Sequence, residues 1–319
     1  MTKSIGLAVL GAGAIAERHM RAFERLGGVE PRWVVSRREE AAREFAGRWK
    51  FPQAATAVEP ALADPRVELV LVTSPSALHS GQALQALKAG KDVIVEIPVG
   101  LSWGETQSVY EVADALGGRV WVCHTMRSYP ALQEVRQRVQ SGRLHVTQIA
   151  GFYGIPRRRN QGMGGVGTRS WSDNLLWHHG CHQVDVSLWV LGMPQVTRVQ
   201  GLFGPVHPTL GMALDVGVQM VAAGGALITQ ALTYNVEHFS WRLQFIGHDD
   251  VLTYDGGRLT NEAGEVLVAE TPLDDLLVQN RALLHAWQSG EKCDYDLASV
   301  LPTMEVLERA QRSAADAQR

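Results

Sequence analysis

Cysteine is scarce in this chain: three residues in 319, Cys123, Cys181 and Cys293, with no C-x-x-C pair among them. An odd, scattered set excludes a disulfide framework and a zinc ribbon, and it fits a reducing compartment. Charge of one sign is lacking too. The formal balance is only −3 and neither terminus is polybasic, so no electrostatic footprint for nucleic acid or a membrane surface is present. No apolar run approaches the roughly 18 residues of a membrane span. The opening MTKSIGLAVLGAG runs straight into a strand and a glycine turn, without an apolar leader core. These absences leave a cytoplasmic protein with a small-molecule partner as the expectation.

An apolar content of 45% over 319 residues fills two cores of ordinary size. Between residues 5 and 124 the runs IGLAVL, RWVVS, ELVLVT, KDVIVE and RVWVCH alternate with amphipathic stretches. Continuous apolar runs separated by helical patterns are the βαβ rhythm of a doubly wound parallel sheet, covered on both faces. The second half reads differently. A helix from about Asn174 to Leu191 is followed by closely spaced strand candidates, VTRVQGLF, ALDVGVQMV, ALITQALTY and RLQFI, which predict a largely antiparallel sheet. Amphipathic helices near Asp274–Ser289 and Ala298–Ala317 close the chain. The expected architecture is an α/β domain over residues 1–123 and an α+β domain over 124–319, with a site in the cleft between them. The loop IPRRRNQGMGGVGT, rich in glycine and arginine, is expected at that site.

The first strand ends in Gly11-Ala12-Gly13-Ala14-Ile15-Ala16, a G-x-G-x-x-A turn opening a helix. Glycines 11 and 13 permit a tight turn and close approach of a pyrophosphate, Ala16 lets helix and strand pack closely, and the helix N–H groups favour phosphate. Following a strand and preceding a helix, the motif predicts a dinucleotide cofactor. The second strand ends at Ser36-Arg37-Arg38, where a carboxylate would select NAD by its ribose hydroxyls. A hydroxyl and two guanidiniums suit a 2′-phosphate instead, so NADP is expected and NAD is the alternative. Thr73-Ser74-Pro75 follows the fourth strand, at the crevice outside the strand ends, with Thr73 and Pro75 as candidate contacts.

Residues 169–185, RSWSDNLLWHHGCHQVD, carry three histidines on about one helical turn. His178 and His182 are i,i+4 neighbours and His179 and His182 are i,i+3 neighbours, so they can meet one small ligand. Beside a dinucleotide fold this suggests hydride transfer with imidazole as proton acceptor. His182 is the candidate base, with His178 the second catalytic candidate. A metal held by His178 and His182 is the weaker reading, because no glutamate lies between them as in H-E-x-x-H. A thiohemiacetal on Cys181 is also disfavoured, since i and i+1 residues do not face each other on a helix. An NADP-binding sensor without chemistry is a third reading.

With the turn at Gly11, the strand end Val95-Glu96-Ile97-Pro98 and the segment from His179 to Asp185, the chain resembles the Gfo/Idh/MocA oxidoreductases over essentially its whole length. The resemblance implies Glu96, Ile97 and Pro98 at the cofactor crevice, and a homodimer or higher oligomer through the second domain's sheet. It also marks two departures: Ile97 stands where the family has lysine, and His178 where it has an aspartate, whereas Gly180, His182 and Asp185 match. The strings VEIPVGLSW, CHTMRSYP, RSWSDNLLWHH and GPVHPTLGMALD resemble a narrower group in the family. That likeness implies NADP-dependent oxidation of the cyclic hemiacetal of a dicarboxylate aldehyde to a lactone. A hemiacetal hydroxyl is more acidic than a sugar alcohol, so an imidazole can replace the lysine. Oxidation of a sugar or polyol is the alternative. Guanidiniums suit two substrate carboxylates. Arg127, Arg169 and one of Arg157, Arg158 and Arg159 are the candidates, with His124, His178 and His179 as further donors. Trp171 and Trp177 are candidate walls for a flat ring. Asp185 has two readings, an orienter of His182 or an interdomain carboxylate.

Overall fold

The structure is a computed structural model that describes residues 4–158 and 174–317. It divides into two compact units. One comprises residues 1–125 and 274–301, the other 126–273 and 302–319.

In the first unit, strands Ile5–Leu10 (β1), Val29–Val35 (β2), Gln53–Ala55 (β3), Leu69–Val72 (β4), Asp92–Val95 (β5) and Val120–Val122 (β6) form a parallel sheet of order β3-β2-β1-β4-β5-β6. The crossovers are the helices Ala14–Leu26 (α1), Glu39–Trp49 (α2), Glu59–Ala63 (α3), His79–Lys88 (α4) and Trp103–Leu116 (α5). Every residue of β1 and of β4 is buried, as a parallel strand covered on both faces requires. The order reverses between β1 and β4, which opens a crevice at their carboxyl ends. The ends of α5 follow local rules. Ser102 accepts from the Glu105 amide at 3.1 Å while Glu105 accepts from the Leu101 amide at 2.9 Å, and the helix stops at Gly117 with φ 64°.

The second unit opens with helix Pro130–Gln140 (α6) and continues through strand Val146–Gly154 (β7) and helix Cys181–Val190 (α7). Strands Val196–Phe203 (β8), Asp215–Ala222 (β9), Leu227–Thr233 (β10), Ser240–Gly247 (β11), Val251–Asp255 (β12), Arg258–Thr260 (β13) and Val266–Val268 (β14) come after it. The sheet order is β14-β13-β12-β11-β7-β10-β9-β8, antiparallel except for β7 beside β10. Its strands alternate: Val216, Val218, Met220 and Ala222 of β9, and Trp241, Leu243 and Phe245 of β11, are buried while their neighbours are not. α7 packs on β7 and β10 and is pinned there by buried polar side chains. Gln183 donates to Gln230 at 2.6 Å, Gln230 to Ser187 at 2.8 Å, and Trp241 to Gln183 at 2.8 Å. Gly151 makes room for this network, since a Cβ there would stand 1.8 Å from Gln230 Oε1.

Two helices complete the chain, Asp275–Ser289 (α8) and Leu301–Ala317 (α9). α8 corrects the sequence-based division at residues 124–319, because it packs on α1 in the first unit. Its Leu283, Leu284 and Ala286 join the core of β1, α1 and β4, and Arg18 and Arg25 of α1 pair with Asp275 and Asp274. An apolar face needs a second apolar face, whatever the sequence separation. α9 stays with the second unit: Gly201 of β8 lies so close that a Cβ would meet the Ala310 carbonyl at 2.1 Å.

Candidate functional site

The cofactor half is built by the first unit. Gly11 has φ +115°, and a Cβ on it would stand 2.6 Å from the Thr73 carbonyl. Glycine is therefore demanded there by β4 as well as by any ligand. Gly13 is different: a Cβ would meet nothing within 4 Å. α1 starts at Ala14 with no side-chain cap, so the amides of Ala14 and Ile15 are among those left to an outside acceptor. An open glycine before an uncapped helix start fits a pyrophosphate. Arg37 and Arg38 are exposed beyond β2, and neither makes a side-chain hydrogen bond or ion pair among the described residues. Thr73 turns its hydroxyl into the turn, donating to the carbonyls of Leu10 at 3.2 Å and Gly11 at 3.1 Å. Pro75 is half-buried beside it.

Glu96 leaves β5 half-buried, while Ile97 and Pro98 are buried. The Glu96 carboxylate lies 2.7 Å from His19 Nε2 and accepts from the Ile97 amide at 3.3 Å. His79 ties the β4 and β5 loops together, with Nε2 2.7 Å from the Ser74 carbonyl and Nδ1 2.8 Å from that of Pro98. Burial lowers its pKa, against the pull of the two carbonyls and of Glu96. Nothing in the sequence singled out His19 or His79, for a buried histidine on a helix face looks like any other core position. His124 is buried at the end of β6.

The histidines belong to the second unit. The continuous α-helix expected from Asn174 opens instead with a wide π turn over Leu176–Gly180, and α-helix begins at Cys181. Such turns widen the spacing of side chains and are common at functional sites. Between Leu175 and Val190 every residue is buried except His178 and His182, which are half-buried. The segment thus presents two imidazoles at its one accessible place. His179 is buried, with Nδ1 2.6 Å from the Tyr234 hydroxyl and its ring stacked on Tyr153 at 5.8 Å. The Arg157 guanidinium stands 5.4 Å from the Tyr234 ring centroid. Burial pushes the Tyr153 phenol up, so it stays a neutral hydroxyl. Tyr153 and Tyr234 were not visible as site residues in the sequence, because both read as strand-interior aromatics.

Several of the candidate residues have partners within the fold. Arg127 is 1% exposed and holds Asp185 in a two-point pair, Nε to Oδ2 at 2.8 Å and Nη2 to Oδ1 at 2.5 Å, with Thr303 donating to Oδ1 at 3.0 Å. In this structure Arg127 and Asp185 form a buried ion pair. Trp177 is 2% exposed, and its indole nitrogen donates to Gln311 of α9, so it completes a core and not a substrate wall. Arg158 donates to the Asn235 carbonyl at 2.8 Å on the surface. The Cys181 thiol is buried and donates to the His178 carbonyl at 3.1 Å, which leaves it a structural group. Arg159, Arg169 and Trp171, with most of the arginine-rich loop, lie outside the described residues. Among the described residues, the one group of His, Cys, Asp or Glu close enough to share an ion is His19, Glu96 and Cys123, all in the first unit.

A parallel sheet whose first strand ends in an open glycine turn is the architecture of a dinucleotide-binding unit. Residues 5–124 match the model of the oxidoreductase family with an NAD-binding Rossmann fold, and residues 130–257 that of the C-terminal region of bacterial oxidoreductases. The chain belongs to the Gfo/Idh/MocA family. It is 30% identical to 4-carboxy-2-hydroxymuconate-6-semialdehyde dehydrogenase of Sphingobium sp., over 94% of this chain and 96% of that one. It is 27% identical to the NADP(+) scyllo-inositol 2-dehydrogenase of Bacillus subtilis, over 61% of this chain and 55% of that one. Among solved structures, GenD2 of gentamicin A biosynthesis in complex with NAD superposes with a TM-score of 0.86 at 22% identity, covering 99% of this chain and 96% of that one. Levoglucosan dehydrogenase in complex with NADH and levoglucosan gives 0.87 at 15% identity, covering 98% of each. No helix among the described residues is long and apolar enough to cross a membrane.

Proposed function

We propose that this enzyme oxidises the cyclic hemiacetal of 4-carboxy-2-hydroxymuconate-6-semialdehyde to the lactone 2-pyrone-4,6-dicarboxylate, with NADP as acceptor. The observation that carries this reading is the pair His178 and His182, the two accessible positions in an otherwise buried segment, together with the apolar Ile97 where the family has lysine. His182 takes the proton of the anomeric hydroxyl as the C–O bond becomes a carbonyl, and His178 donates to the substrate. The nicotinamide, when bound, accepts the hydride. A base titrating near neutrality suffices for a hemiacetal hydroxyl, which a polyol would not offer. Arg157, over Tyr234 and beside buried His179, receives one substrate carboxylate. Arg37 and Arg38 receive the 2′-phosphate of NADP. The enzyme works as a homodimer through the outer face of its second sheet, where Phe152, Leu202 and Leu227 are exposed together with small and polar neighbours.

The test is NADPH formation by the purified protein with NADP and the semialdehyde, with myo-inositol in parallel. Turnover of the semialdehyde alone is expected. Turnover of the polyol alone overturns the substrate and the role of His182 together. Mass measurement in solution checks the dimer, and a monomer at assay concentration overturns it.

A further inference from the structure

Pairing between β4 and β5 ends where the Glu96 amide donates to the Val72 carbonyl at 3.0 Å. Beyond that bond two loops run on, 73–78 toward α4 and 96–102 toward α5. Both lie at the carboxyl ends of parallel strands, where a fold of this kind receives its ligand. The glycine turn rests on the first of them. The Thr73 amide donates to the Leu10 carbonyl at 2.8 Å and the Thr73 hydroxyl to the Gly11 carbonyl at 3.1 Å, while a Cβ on Gly11 would stand 2.6 Å from the Thr73 carbonyl. A shift of residues 73 and 74 therefore moves the turn whose following amides suit a pyrophosphate.

His79, the first residue of α4, is 2% exposed and stands between the two loops. Its Nε2 lies 2.7 Å from the Ser74 carbonyl and its Nδ1 2.8 Å from the Pro98 carbonyl. Both oxygens are acceptors, and a neutral imidazole, the form that burial favours, has one hydrogen to give. The two contacts differ in reach. Ser74 is five residues back in the same segment, so a bond to it closes that loop on itself. Pro98 belongs to the other loop, so a bond to it joins the two. We propose that His79 is a positioning residue for dinucleotide binding, giving its Nδ1 hydrogen to Pro98 and so holding the loop under the glycine turn against the loop after β5. The inference rests on a dinucleotide meeting the glycine turn. It is independent of where the nicotinamide lies and of which alcohol is oxidised.

The experiment measures the dissociation constants of NADP+ and NAD+ on the full chain by titration, without substrate, and follows the tighter of the two through His79→Leu, His79→Gln and His79→Asn. Asparagine places its amide nitrogen near the position of Nδ1 and glutamine near that of Nε2, whereas leucine fills the volume and donates nothing. The apparent constant rises as the fraction of chains with the loops held falls, by up to about tenfold for one hydrogen bond. His79→Leu and His79→Gln are therefore expected to bind about three- to tenfold more weakly than wild type, and His79→Asn within about twofold of it. Wild-type affinity in His79→Leu overturns the inference, and so does a loss in His79→Asn as large as in His79→Gln. Nitrogen-15 spectra of the histidine rings in the unaltered chain give a second reading, in which the His79 hydrogen is expected on Nδ1 at neutral pH. A hydrogen on Nε2 overturns the inference even where none of the variants folds.

Discussion

Removing Asp185 separates the two roles open to it. Its carboxylate and the Arg127 guanidinium each keep 1% of their surface, and both oxygens accept from Arg127. Asp185→Ala takes a two-point ionic pair from a guanidinium that is 1% exposed, and breaking one side of a buried pair costs about 3–5 kcal/mol. In a unit of this size each kcal/mol moves the midpoint by roughly 2–4 °C, so a fall on the order of 10 °C is expected. Replacing both partners by apolar residues of similar volume, Arg127→Met with Asp185→Leu, removes both charges and is expected to recover at least half of the loss, because a buried pair repays little more than its own desolvation. The assay is urea unfolding by tryptophan fluorescence with saturating NADP+, which raises the transition of the cofactor-binding unit and exposes that of the other. A cost below about 1 kcal/mol for Asp185→Ala, or a double variant no more stable than the single one, refutes the reasoning and returns Asp185 to the role of orienting His182.

His182→Ala is expected to lower turnover by at least about 100-fold, the usual contribution of a general base, with the NADP+ dissociation constant little changed; retained turnover by stopped-flow absorbance at 340 nm would remove the base. Replacing Arg37 and Arg38 together by alanine is expected to weaken NADP+ by about 10- to 100-fold and leave NAD+ unaffected, since charge-assisted bonds to a 2′-phosphate are lost, and equal weakening of both nucleotides would sink that assignment. His79 supplies a pH dependence. Its folded pKa lies below the ordinary 6.5, so in acid the unfolded chain takes up a proton that the folded chain refuses. Stability therefore falls as pH drops below 6.5, by up to about 1.4 kcal/mol per pH unit. Chemical unfolding at pH 7.5, 6.5 and 5.5 should show a shallower slope in His79→Gln, and identical slopes would show that His79 does not carry it.

The parallel sheet was legible because β1, β4 and β5 are short apolar runs, and only a strand covered on both faces needs such a run. The second sheet was legible through alternation, as in β9 and β11. The histidine segment was recognisable in composition, but its π turn was not, since a segment buried on nearly every side has no polar face to reveal its period. The same burial hid the partners of Trp177 and Arg127. A guanidinium before a helix looks like a ligand receptor until its counter-ion appears 58 residues later in the chain. Local pattern reports which face is apolar, and it is silent about which distant partner covers it.

The return of residues 274–301 to the first unit is the largest consequence of that silence. Leu283 and Leu284 close the core under β1 and α1, while Asn280 reaches His19, and His19 reaches Glu96. The contact between His19 and Asn280 joins the start of the chain to a segment 261 residues away. The glycine turn alone can offer amides to a phosphate, but the contact from Asn280 to His19, whose other ring nitrogen meets Glu96, forms only when α8 is in place. The cofactor half of this enzyme is therefore not the contiguous N-terminal block that its motif suggests. It is a unit whose last polar contact arrives after the whole antiparallel sheet has been inserted between its parts.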